Sequence, residues 1–180
     1  MDELRWDERP EGLRNPVMIA AFGGWNDAAG AASGAVVFVG ERLGARRVAA
    51  LDPEAFYDFQ ATRPMIDLRT PTDSSIVWPE VEVLVARTDG EHDVVLVAGA
   101  EPSMRWRTFC ALLLHAAVAL GVTRVVTLGS LLADVVHSHP VRITGMASDP
   151  SFVAGMGFRE PSYQGPTGIV GVLHHEASQR

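Results

Sequence analysis

A chain of 180 residues, 47% apolar and 21% charged, has the length and balance of one globular domain, which excludes disordered, collagen-like and disulfide-scaffold architectures. Its net charge of -7, with no local cluster of cations, excludes a basic nucleic-acid footprint, so no DNA or RNA partner is expected. All 15 cations are arginine and none is lysine, a bias we ascribe to the base composition of the genome and not to chemistry.

Cys110 is the only cysteine, which rules out an intrachain disulfide. It lies in an apolar helical run, where it reads as a small buried hydrophobe and not a nucleophile. A reducing, cytoplasmic setting is the matching expectation. The first 14 residues are charged and hold no signal-peptide core. The longest apolar stretches elsewhere are interrupted by Gly, His or Arg short of a membrane span, so neither secretion nor membrane insertion is expected.

In chain order, residues 1–15 read as an irregular lead or edge segment ending at Asn15-Pro16. Residues 17–22, near-continuously apolar between Pro16 and Gly23-Gly24, predict a central strand buried on both faces. Asn26 or Asp27 can cap the following helix, whose Ala-rich and Gly-rich near face predicts close packing on the sheet, with Gly44 as its stop. Residues 47–51 read as a second buried strand, giving with the first a parallel pair joined by a right-handed crossover. An antiparallel excursion is predicted around 65–87, from three shorter runs at 65–68, 75–77 and 81–87. The α/β alternation resumes with a strand at 93–98, a helix at about 103–120 ended by Gly121, and a strand at 123–128. A further strand at 141–146 and helices at 151–156 and from 168 complete the reading. The expected fold is α/β, three-layer αβα with a mostly parallel sheet, in a single domain over 1–180 with no internal repeat. The last residues lie inside a helical pattern with no Gly or Pro after it, from which we expect a chain truncated at its C-terminus.

The place to look first for chemistry is Gly23-Gly24-Trp25-Asn26-Asp27, where a strand turns into a helix and an anion can rest on free backbone N–H groups. The spacing fits neither the dinucleotide nor the P-loop fingerprint, and tight-turn glycines with an Asn26 or Asp27 cap explain it equally. Glu101, Arg105 and Trp106 follow the 93–98 strand, while Asp134 and His137 follow the 123–128 strand, so open-sheet logic places both sets with Trp25 on one edge, in one shared crevice. Such a set suits acid–base or carboxylate-binding work; a structural ion-pair network suits the same residue types. His137, His139 and the His174-His175 pair lack the spacing and cysteine support of a zinc site, so no metal is expected. Ser130 lacks the second glycine of a nucleophile elbow. Gly165, Thr167 and Gly168 belong to a turn that ends in a helix start, with Thr167 a reasonable cap.

The ordered set Gly23-Gly24-Trp25-Asn26-Asp27-Ala28, Asp52-Pro53-Glu54 with Phe56-Tyr57-Asp58-Phe59 and Arg63-Pro64, Trp78-Pro79, Gly99-Ala100-Glu101-Pro102 with Arg105-Trp106, Leu128-Gly129 with Asp134 and His137, and Gly165-Pro166-Thr167-Gly168-Ile169 closely resembles the proteasome assembly chaperone 2 family in its actinobacterial branch. The likeness runs in order from about residue 17 to the end. One departure is that this chain has Val136 and His139 where the branch shows Pro and Arg around its Asp-x-x-His motif.

The resemblance implies a phosphorylase/hydrolase-like αβα fold, relatives longer than this chain, and no cofactor. Two functions stay open. One is a non-enzymatic assembly chaperone or scaffold that self-associates and binds proteins such as proteasome subunits. The other is a hydrolase, a phosphorylase-like enzyme or a small-ligand binder using a Trp25/Glu101/Asp134 crevice, since this fold hosts enzymes too. The first is preferred, because no nucleophile–base–orienter set stands out. The expected ligand-binding residues are Gly24, Trp25, Asn26, Asp27, Glu101, Arg105, Trp106, Asp134, His137, Gly165, Thr167 and Gly168. Trp6 and Trp78, in polar or Pro-flanked segments, are candidate interface anchors or ordinary packing.

Overall fold

The computed structural model describes residues 3–70, 73–159 and 161–179. In chain order its elements are β1 (Leu4–Trp6), β2 (Val17–Gly23), α1 (Ala31–Leu43), β3 (Arg46–Leu51), α2 (Pro53–Phe56), β4 (Met65–Thr70), β5 (Asp73–Val77), β6 (Val81–Ala86), β7 (Val94–Ala100), α3 (Trp106–Ala119), β8 (Arg124–Thr127), α4 (Pro150–Gly155) and α5 (Ile169–Ser178). They fall into two compact units, one built from the chain up to Leu131 together with Gly168 onward, the other from Leu132–Thr167.

Six strands of the first unit form one sheet in the order β1-β3-β6-β7-β2-β8. β2 pairs in parallel with β7 and β8, while β7–β6, β6–β3 and β3–β1 are antiparallel. The sheet is therefore mixed, with β3, β7, β2 and β8 running one way and β1 and β6 the other. Both faces are covered, as the continuous apolar runs require. Met18, Ala20 and Phe22 of β2 and Val95 and Val97 of β7 face the larger core with α3 and α5, whereas Ala21 and Leu96 face α1. Phe109 of α3 stacks edge-on against Phe22 and Phe56, with ring centroids 5.6 and 5.4 Å apart. On the other face Gly40 lets α1 approach the sheet: a Cβ there would lie 3.2 Å from Leu96 Cδ1. The close approach read from the small residues of this helix is what forms.

Three expectations need correction. β3 runs parallel to β2 but is not its neighbour, because β6 and β7 lie between them. β6 leaves the predicted excursion and joins the main sheet: its Val81, Val83 and Val85 are buried, and that face is covered only in the interior of the large sheet. Only β4 and β5 form the separate antiparallel ribbon. Residues 141–146 make no strand; a single bridge, Thr144 to Arg159, is formed, and Val141 stays 88% exposed. The run has alternation without a neighbouring strand to exploit it. Residues 1–15 contain the short edge strand β1, and Asp52 opens the brief helix α2 by accepting from Glu54 N–H at 3.2 Å.

Candidate functional site

β2 and β7 end in register, Gly23 opposite Ala100, and Glu101 N–H donates to the Gly23 carbonyl at 2.8 Å. The turn after β2 and the residue after β7 thus meet at the C-terminal edge of the parallel strands, where open sheets carry their loops. Here the Glu101 carboxylate accepts two backbone bonds, from Trp25 N–H at 3.2 Å on Oε2 and from Ile169 N–H at 2.7 Å on Oε1. Ile169 opens α5, so the carboxylate supplies the anion that the positive end of this ten-residue helix favours.

Two glycines make room for it. Gly24 sits at φ +156°, and a Cβ there would lie 2.8 Å from the Glu101 Cβ; a Cβ on Gly168 would run into Asn26 Oδ1 and stand 2.7 Å from Glu101 Oε1. Gly168→Ala should therefore cost about 1–3 kcal/mol by overpacking. Thermal unfolding should show the loss, and amide exchange should show α5 opening ahead of the sheet.

Asp27 is the second carboxylate of the turn, 8% exposed. Its Oδ1 accepts from Ala32 N–H at 2.8 Å, Ser33 N–H at 3.3 Å and the Ser130 hydroxyl at 3.2 Å, and the Ser33 hydroxyl donates to Oδ2. Burial pushes its pKa up, but these donors together hold it below the usual carboxylate range. The carboxylate so ties the start of α1 to the loop after β8, where Ala28 N–H donates to Ser130 O and Ser130 N–H to Asn26 O, at 3.0 and 2.8 Å. The Ser130 hydroxyl also donates to Ala28 O at 3.0 Å, so its proton is engaged by carboxylate and carbonyl and no imidazole takes it. Asn26 Oδ1 is buried with no hydrogen-bond partner.

Arg105 is turned to the N-terminal segment, paired with Glu3 at 2.6 Å, its guanidinium 5.4 Å from the centroid of the Phe56 ring. Trp106 is half-buried and donates its indole N–H to Pro102 O at 2.7 Å. Trp25 stays 59% exposed. Trp6 packs against the core with Arg9 over its ring, and Trp78 leans on Phe59 at a centroid distance of 4.9 Å.

The structure brings together Gly24, Trp25, Asn26, Asp27, Glu101 and Gly168. Asp134, His137, Gly165 and Thr167 belong to the second unit, where Asp134, His137 and Gly165 are exposed. Among the described residues no group of three or more His, Cys, Asp or Glu is arranged to hold a metal ion. Cys110 is fully buried, and burial, with Glu176 adding to it, pushes its thiol up to about 12. The bonds from the Ile169 N–H and the Ser130 hydroxyl were not legible in the chain, since each acts on a carboxylate distant in sequence. The Ser33 hydroxyl, on the third residue of α1, reaches Asp27 only six positions before it, a spacing within the range of a local side-chain bond.

The PAC2 family model matches residues 21–180. Comparison with curated proteins returns no match. Among solved structures the chain is similar to a PAC2 family protein from Streptomyces avermitilis, with 48% identity and a TM-score of 0.84 over 91% of this chain and 70% of that one. It is similar to a proteasome-assembly chaperone homologue from Mycobacterium tuberculosis, with 41% identity and a TM-score of 0.84 over the same shares. An archaeal proteasome activator from Pyrococcus furiosus shares the fold at 16% identity, with a TM-score of 0.73 over 99% of this chain and 76% of that one. With the family pattern spanning the strands, the Trp25 turn, Glu101 and α5, this chain belongs to the PAC2 family.

Proposed function

We propose that the chain is a non-catalytic assembly or scaffold protein that acts by contact with other proteins, proteasome components among them. The observation that carries this reading is how the polar groups of the Trp25 turn are used: both Glu101 oxygens accept backbone N–H groups, and Asp27 is filled by two backbone and two hydroxyl donors. Carboxylates spent in this way position loops and do not move protons in a reaction. The naming of the Mycobacterium tuberculosis relative as a proteasome-assembly chaperone homologue supports the choice of partner. Among the described residues no helix is long and apolar enough to cross a membrane; a cytoplasmic setting is part of this proposal.

The small-ligand reading keeps one observation in its favour. The exposed Trp25 ring stands one residue from Asn26 Oδ1, a buried acceptor without a donor. In that reading the ligand would rest on the Trp25 turn itself, within the first unit.

The deciding experiment is capture of partners from a native lysate by the full chain, beside a substrate screen. Stoichiometric recovery of proteasome subunits, retained in Asp134→Asn, supports the scaffold reading. Hydrolysis or phosphorolysis that vanishes in Asp134→Asn while the fold persists overturns it.

A further inference from the structure

The two faces of the six-stranded sheet are covered unequally. One carries two helices side by side, α3 and α5; the other carries α1, which packs over β2 and β7 and reaches β6 only along its flank. Strands lie about 4.8 Å apart and packed helices about 8–10 Å, so a helix laid beside α1 would sit about two strands further on, over β6 and β3. There the sheet is open. Between α1 and β6 runs a groove of about 240 Å³, floored by Leu84 and Leu96 and walled by Val37, Gly40, Glu41 and the C-cap Gly44. These four wall positions are spaced i, i+3, i+4 and i+7, one stripe of the helix, and the two glycines keep that stripe low enough for a second helix to approach. Val37 on the same stripe is an apolar side chain left 50% exposed.

Charge narrows the occupant. Arg47, Leu84 and Leu96 stand in register across β3, β6 and β7, so the floor of the groove runs on into a ladder of ion pairs on the same face. Arg47 holds Asp7 at 2.8 Å, Glu80 at 2.9 Å and Glu82 at 3.2 Å, and Arg5 holds Glu80 at 3.3 Å. Glu82 also lines the groove, as does Glu41, whose carboxylate has no ion-pair partner among the described residues. Four carboxylates thus meet two guanidinia, and the surplus around the groove is negative. An apolar floor under acidic rims suits side chains with an apolar stem and a cationic head. At about 240 Å³ the groove is smaller than the roughly 300–1,000 Å³ of small-molecule sites, which favours the side chains of a partner over a free ligand. A second copy of this chain fits poorly: pairing about a two-fold axis brings two acidic grooves together, while α3 and α5 bury their apolar stripes in the core.

We propose that this groove seats an amphipathic helix of a partner protein, laid beside α1 over β6 and β3. Its apolar stripe packs on Leu84 and Leu96, and Lys or Arg along its flanks meets Glu41 and Glu82. The proposal rests on the scaffold reading and specifies the chemistry of the partner. The two fail separately: a chain that captures proteasome subunits undiminished after the groove is blocked loses the helix seat alone.

The test is a fluorescence anisotropy titration of the full chain at about 0.15 M salt, where long-range attraction is screened. The probe is a labelled helical peptide of about five turns, with a leucine stripe flanked by arginine; its counterpart has the same stripe flanked by glutamate. The arginine peptide should bind with a micromolar Kd and the glutamate peptide at least about 10-fold more weakly. Glu41→Arg and Val37→Arg, both at exposed positions of α1, should each raise the Kd of the arginine peptide about 10-fold or more while melting with the parent. Glu91→Arg makes the same change of net charge as Glu41→Arg, on the exposed turn between β6 and β7, and should leave the Kd unchanged. Absence of binding by the arginine peptide, equal binding of the two peptides, an equal loss in Glu91→Arg, or indifference to both α1 variants overturns the inference. So does a parent chain that dimerises at micromolar concentration and becomes monomeric in Val37→Arg, because the groove would then seat a second copy.

Discussion

Asp27→Ala should unfold about 10 °C below the parent. The substitution strands Ala32 N–H and Ser33 N–H at the start of α1 and removes the acceptor of the Ser33 and Ser130 hydroxyls. At about 1–3 kcal/mol for each buried donor left without a partner, and less for a hydroxyl that can turn to water, the loss is about 3–4 kcal/mol. In a chain of this size each kcal/mol moves the melting temperature by about 2–4 °C. Asp27→Asn keeps an oxygen for the two N–H groups and should recover about half of the loss. Ser130→Ala removes one of the hydroxyls and should cost about 1 kcal/mol. The ordering Ala, Asn, Ser130→Ala, parent in a thermal melt is the check; an Asp27→Ala variant melting with the parent would mean that the carboxylate does not hold the turn. The consequence reaches the site, since the same carboxylate fixes the turn that presents Trp25.

The parts of this architecture that were legible in the chain are those set by local periodicity. β2, β7 and β8 announced themselves as continuous apolar runs, and α1, α3 and α5 as helical spacing with glycine at or near an end. Strand order was not legible, because it depends on which neighbour covers a face and not on the run itself. β6 has the same alternation whether it pairs with β5 or with β7, and only the burial of Val81, Val83 and Val85 chooses. The Trp25 turn was found through its glycines and its place after a strand. The open-sheet rule placed Glu101 beside it, but the bonds themselves, from Trp25 N–H 76 positions away and from Ile169 N–H 68 positions away to the Glu101 carboxylate, are beyond the reach of any local pattern. The run at 141–146 failed in the opposite sense. Its alternation is real, yet the second unit offers no sheet to receive it.

The most severe single loss should come from a residue that no motif marked. Asp93, fully buried at the head of β7, is the hub of the opposite edge of the sheet. Its Oδ2 accepts from Arg14 N–H at 2.8 Å and its Oδ1 from Thr88 N–H at 3.0 Å, with the Arg14 guanidinium at 3.4 Å and that of Arg87 at 3.9 Å. Its own backbone continues the join, N–H to Arg14 O and O from Val17 N–H, so one residue fastens the segment before β2 and the turn after β6 to β7. Burial pushes its pKa up, yet the Arg14 and Thr88 N–H groups and the Arg14 charge together hold it below the ordinary carboxylate value. Asp93→Ala leaves two buried N–H donors unmet and removes an acidic partner shared by two arginines, a loss of about 3–5 kcal/mol. The sign with pH follows from the depressed value. Between the folded pKa and the unfolded one near 4 the unfolded chain binds more protons, so the stabilisation is complete above about pH 4 and drains as pH falls below it. Urea titrations of the parent should lose stability as pH falls below about 4, while Asp93→Asn, with no carboxylate to protonate there, should start lower and fall less steeply. Parallel pH profiles for the two proteins would show that Asp93 carries no linked stability.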